Sequence, residues 1–214
     1  MEELKQNYRH FWEDRDLLYS SVVGVLFLIA SLIINYAAGM FATLNASNSV
    51  TDIILDNVPR MNVEYVFVQG ILLFLAFVAY LLIKDPRRIP FALKSIAFFV
   101  IVRSIFVSLT HFAPFPDNNF DVYGSFIKNF TFGGDLFFSG HTGLPFLMAL
   151  LFWQNKRLRF FFICASIFFG TAVLLGHLHY SIDVFAAFFI TDSVYRLGSG
   201  LFSKDKALFA QTMQ

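Results

Sequence analysis

Residues 17–41 read LLYSSVVGVLFLIASLIINYAAGMF, a run of 25 positions without a charged side chain. A bilayer core of about 30 Å takes roughly 20 apolar residues as a helix, so this stretch by itself predicts a membrane span. Five more apolar runs follow, at 65–83, 91–109, 136–153, 160–178 and 180–195. All are long for strands and lack period-two alternation, which argues against a β-barrel. Composition agrees. Of 214 residues 57% are hydrophobic and 14% charged, whereas soluble domains are about 45–50% apolar and about 25% charged. Mean hydropathy is +0.63. The expected fold is all-α integral membrane, with six transmembrane helices.

Charge orients the bundle. Lys5, Arg9, Arg15, Lys84, Arg87, Arg88, Lys94, Lys156, Arg157, Arg159, Arg196, Lys204 and Lys206 fall at one side of a six-span layout. The opposite connections hold Arg60 and Lys128, and Arg103 lies inside the third run. Cationic loops stay in the cytoplasm, so both termini are expected there. Residues 1–16 then form a cytoplasmic leader, 17–197 the six-helix membrane catalytic domain, and 198–214 a cytoplasmic tail. The leader has no short apolar core or small-residue cleavage site and reads as retained. The single cysteine, Cys164, excludes an internal disulfide and a cysteine metal cluster. Of the outer segments, 42–64 and 111–135, the second is rich in Pro, Asn and aromatics. It reads either as a re-entrant flap or as a short amphipathic surface helix.

Polar residues then mark a site. His141, His177 and His179 fall at the outer ends of the last three spans, beside Asp135, Ser139 and Asp183. His179 and Asp183 are spaced i, i+4 and share a helix face. A carboxylate behind an imidazole fixes its tautomer and stabilises the cation formed when the other nitrogen attacks. Ser139-Gly140-His141-Thr142 opens a span, where glycine lets backbone amides approach a phosphate and the helix dipole favours its charge. A second histidine across the mouth is placed to protonate a leaving oxygen. A histidine at a membrane interface is usually only polar trim, and His177 is read that way. Intramembrane ionisable residues such as Arg103 and Asp183 are costly, however, and default to function. A haem or proton-conducting reading of His141 and His179 is weaker, because haem ligands face each other at matched depth within spans.

Gly134-Asp135-Leu136-Phe137-Phe138-Ser139-Gly140-His141-Thr142 resembles the G-D-x-x-x-S-G-H-T motif of the sphingomyelin synthase family. His179-Tyr180-Ser181-Ile182-Asp183-Val184 with Phe188 resembles that family's H-Y-[TS]-x-D-V-x-x-x-[FYI] motif. Thr51-Asp52-Ile53-Ile54-Leu55-Asp56 is similar to its first motif, with Thr51 where the family has proline. Arg87-Arg88 followed by Arg103 and Thr110 is similar to its second, with stretched spacing and Val100 in place of tyrosine. The family lies within the type 2 phosphatidic acid phosphatase superfamily. Departures are Gly133 where the third motif opens on cysteine, Leu178 where an acidic residue precedes the last motif, and Val173 where the phosphatase branch has arginine.

The resemblance implies a two-step transfer with His141, His179 and Asp183 as catalytic residues. His179 attacks the phosphorus of a phospholipid and His141 protonates the departing diacylglycerol. Ceramide, another lipid alcohol such as diacylglycerol, or water then resolves the phosphohistidine. Substrate binding is expected from Asp135, Ser139, Gly140, Arg103 and Tyr180. Arg103 either holds phosphoryl oxygens or pairs with Asp52, Asp135 or Asp183. Asp135 either orients His141 or meets a cationic headgroup. No cofactor, metal or nucleic acid is expected. The partners are membrane lipids, and the location a bacterial inner membrane with the site on the extracytoplasmic side. A lipid phosphate phosphatase is the alternative.

Overall fold

A computed structural model describes residues 8–9, 11–116 and 134–213. The flap or surface helix expected within 111–135 lies mostly outside them. The described residues are helical, with no strand. Helix α1 spans Arg15–Leu44, and its start is set by Asp14, whose carboxylate accepts the amides of Asp16 and Leu17. Helix α2 opens with a π-helical turn at Val66–Gly70 and continues as Ile71–Lys84. Helix α3 spans Ile89–Leu109, α4 Gly140–Leu151, α5 Lys156–Leu175, α6 Ser181–Leu201 and α7 Ser203–Gln211.

Four of these, at Arg15–Leu44, Val66–Lys84, Pro86–Leu109 and Lys156–Leu175, are long and apolar enough to cross a membrane. Helix α4 is apolar but has only 12 residues. The run 136–153 was expected to be helical throughout. Instead 136–139 are not helical, because Arg103 takes up the carbonyls of Asp135 and Phe138 and Ser139 caps the helix that follows. Helix α6 has the length but carries Asp183, Asp192 and Arg196. It runs to Leu201, four residues past the expected end of the membrane domain, and the tail folds back as α7. There Asp205 takes hydrogen bonds from Ser20 of α1 and Lys94 of α3 at 2.6 and 2.7 Å.

Helix α1 packs most extensively along α3, and α4 sits between α5 and α6. The main core is strongly aromatic, with Phe74, Phe91, Phe99, Phe138, Phe152, Phe162, Phe169 and Phe209 buried together. The reverse faces are apolar too. Ile33 of α1, Leu73 of α2 and Phe189 of α6 are 66%, 72% and 76% exposed, as faces solvated by lipid would be. Contacts at the ends set helix direction. Ser181 meets Asp52, Met61 meets Leu175 and Gly134 meets Thr43 at one end, while Lys94 meets Asp205 and Arg88 meets Thr212 at the other. Both sequence motifs fall at the first end.

Candidate active site

The two motifs are joined through the backbone. The Ser139 amide donates to the Asp183 carbonyl at 3.1 Å, tying the mouth of α4 to the first turn of α6. Asp183 is fully buried, and its Oδ2 accepts the Tyr180 amide at 2.9 Å. That bond is half of a capping box: an acid at the third helical position satisfies an orphan amide at the helix start. The same oxygen lies 3.5 Å from Nδ1 of His179. This is ion-pair range but long for a hydrogen bond, and catalytic contacts are often long before substrate arrives. Asp183 thus caps α6 and backs His179 with one carboxylate.

His141 sits in the first turn of α4. Its Nε2 lies 3.2 Å from the Phe67 carbonyl, and its ring stacks on Phe67 with centroids 4.0 Å apart. A carbonyl only accepts, so Nε2 carries the hydrogen and Nδ1 is the nitrogen left to exchange a proton. Phe67 belongs to the π-helical turn of α2. At the α4 N-terminus Ser139 accepts the Thr142 amide at 3.4 Å. The Gly140 and His141 amides have no acceptor among the described residues.

Several residues expected to bind substrate are engaged elsewhere. Arg103 is buried, and its guanidinium donates to Phe138 O at 2.7 Å, Asp135 Oδ1 at 2.7 Å and Asp135 O at 3.1 Å. The structure therefore holds the ion-pair alternative, with Asp135 as partner. Gly140 lies directly over it: a Cβ there would stand 3.4 Å from Arg103 Nε. Asp135 keeps 20% of its side chain exposed beyond that pair. Ser139 is fully buried as a cap. Tyr180, also buried, donates its hydroxyl to Ala113 O at 2.9 Å and accepts the Val50 amide at 3.2 Å. Gly134 is required by contact, because a Cβ would come within 2.8 Å of the α1 backbone at Ala42.

Two residues prove more structural than their sequence context implies. Asp52 is buried, and its Oδ2 accepts the Ser181 amide at 2.6 Å while Oδ1 accepts Ile54 and Leu55. Burial raises its pKa, but these amide hydrogen bonds outweigh it and hold the carboxyl below its ordinary range. Its weak motif match was the only signal. His177, expected as interfacial polar trim, is only 4% exposed and has φ of 53°. It occupies the left-handed position after α5, where His177 N reaches Leu174 O and Leu178 N reaches Val173 O. That is a Schellman ending, a place glycine usually takes. Its Nε2 lies 3.0 Å from Val58 O and its ring packs edge-on against Phe115.

No group of three or more metal-ligating side chains is placed to hold a metal among the described residues. Residues 133–199 match the family model described as PAP2 superfamily C-terminal, a span holding His141, His179 and Asp183. No curated protein and no solved structure matches the chain. Several apolar helices and this match fit a multi-pass membrane protein. The matched span supports the type 2 phosphatidic acid phosphatase superfamily and, at that level, an enzyme of lipid phosphatase or phosphotransferase type.

Proposed function

We propose that this chain is a lipid phosphotransferase with six membrane spans, both termini in the cytoplasm and its site on the extracytoplasmic face of a bacterial inner membrane. It moves a phosphocholine or phosphoethanolamine headgroup from a glycerophospholipid to ceramide, or to water when no acceptor is bound. The observation that carries the reading is the Ser139–Asp183 backbone bond, which ties the segment entering the His141 helix to the helix start that follows His179. Asp183 lies beside Nδ1 of His179, which leaves Nε2 to attack phosphorus. The bond from phosphorus to the diacylglycerol oxygen breaks, and His141, entering this step as the imidazolium with a proton on each nitrogen, delivers its Nδ1 proton to that oxygen. The acceptor hydroxyl returns a proton to His141 as its oxygen displaces His179 from phosphorus. The free amides of Gly140 and His141 offer a helix N-terminus to the phosphoryl oxygens.

Tyr180, Ser139 and Arg103 support this site by building its walls, and Asp135 is the member of the expected binding set with an exposed face. The motif matches and Val173 favour transfer over the phosphatase alternative, while Leu178 favours loose headgroup choice. Purified protein incubated with fluorescent ceramide and phosphatidylcholine or phosphatidylethanolamine tests this. Diacylglycerol is expected from both donors, together with the ceramide phosphodiester that carries the donor's choline or ethanolamine. Release of inorganic phosphate from phosphatidate, with phosphodiesters untouched, would replace the proposal with the phosphatase alternative.

A further inference from the structure

A second polar feature lies at the opposite end of the bundle. Sixteen residues of α6 separate Asp183 from Ser199, which at 1.5 Å per residue is about 24 Å. There a cavity of about 600 Å³ opens between α4, α6 and α7, within the usual range for small-ligand sites of roughly 300–1,000 Å³. Its wall combines Trp153, Gln154, Tyr195, Arg196, Ser199 and Lys206 with apolar side chains. Arg196 pairs with Asp192 across one helical turn at 2.7 Å. Lys206 has no carboxylate partner among the described residues, and its ammonium lies 5.2 Å from the Tyr195 ring centre. Among the described residues the buried Ser199 Oγ has no hydrogen-bond partner, and neither has the Gln154 amide.

We propose that this cavity binds the headgroup of an anionic glycerophospholipid from the leaflet opposite the histidines. The lining carries one more positive than negative charge, and its unused donors suit phosphate oxygens. Trp153 and Tyr195 are residue types that settle at headgroup depth. Lys156, Arg157 and Lys204 add a basic surround at the same helix ends, and such pockets attract acidic lipids. The apolar wall, from Phe91, Leu150 and Met213, suits the start of the acyl chains. Nothing here depends on the histidine chemistry.

Trp153 reports on the cavity directly. With Trp12→Phe it is the sole tryptophan, and brominated lipid touching it quenches its emission. The full chain is reconstituted in phosphatidylcholine vesicles containing rising fractions of brominated phosphatidylglycerol or brominated phosphatidylcholine. Half-maximal quenching is expected at an about fivefold lower fraction of the acidic lipid, the weight of one lysine near a headgroup. Lys206→Gln with Ser199→Ala should erase that preference, while Lys206→Arg and the more distant Lys156→Gln keep it. Unbrominated phosphatidylglycerol should restore emission and glycerol phosphate in solution should not. Equal quenching by the two lipids would overturn the proposal, as would a preference that survives in the double variant. Displacement by glycerol phosphate would assign the site to a soluble phosphate instead. Unchanged thermal melting and helical content in each variant separates these outcomes from unfolding.

Discussion

Arg103 is the buried cation around which the segment leading to His141 is arranged. It is held by Asp135 and by two carbonyls of the segment leading to His141. Asp135 keeps an exposed face, so stranding it costs less than the about 3–5 kcal/mol of a fully buried pair, but the two carbonyls lose their donor as well. Arg103→Ala is therefore expected to lower thermal stability in detergent strongly, as well as abolishing turnover. A variant that melts like the wild type while losing activity would return Arg103 to phosphate binding. At this scale the sequence was informative about chemistry and poor about partners. His141, His179 and Asp183 stand out because they fall within two compact motifs at the ends of apolar runs. The choice of Asp135 over Asp52 and Asp183 depends on a turn in 134–139 that no spacing rule encodes. The same is true of His177, whose left-handed backbone is invisible until α5 is seen to end at Leu175.

At the scale of elements, the start of α6 depends on a loop far away in sequence. Asp52 receives the Ser181 amide, so it acts as a helix cap supplied from the α1–α2 connection. Asp52→Ala is expected to cost about 1–2 kcal/mol, in line with other lost caps, and to reduce turnover by loosening His179. The native pKa of Asp52 lies below its unfolded value. Its contribution is thus complete above the unfolded carboxylate pKa of about 4 and fades as pH falls through the lower native value. The stability gap between wild type and Asp52→Ala, followed by thermal melts, should accordingly close below pH 4. A gap constant from pH 7 to pH 3 would remove the charged cap from the account. The four long apolar helices were legible from apolar runs, because a bilayer core asks for at least roughly 20 apolar residues. The short α4 was not: its run of apolar residues conceals that Leu136, Phe137 and Phe138 belong to a non-helical turn.

For the whole molecule, the arrangement of ends is the feature on which function depends. Charge placement predicted one basic end, and helix-end contacts put Lys94, Arg88 and Lys206 together, away from the histidines. Which end faces the cytoplasm is directly measurable. In a Cys164→Ser background, Asn48→Cys should react with a membrane-impermeant maleimide on intact cells. Lys156→Cys and Lys204→Cys should react only after permeabilisation. Labelling of position 156 from outside would invert the topology and move the site to the other leaflet. The packing of the tail onto α1 and α3 was hidden from the sequence, because α7 is polar along much of its length and shows its purpose only through Asp205 and Phe209.

The central claim is a covalent intermediate on His179. Wild-type protein mixed with phosphatidylcholine labelled at phosphorus, without acceptor, and quenched within milliseconds in alkali should carry the label on the peptide containing His179. Added ceramide should discharge it into lipid. His179→Ala should carry none, and Asp183→Asn should carry far less because the imidazolium formed on attack loses its carboxylate. An active wild-type enzyme without protein-bound label under these conditions, or label that persists in His179→Ala, would contradict the account.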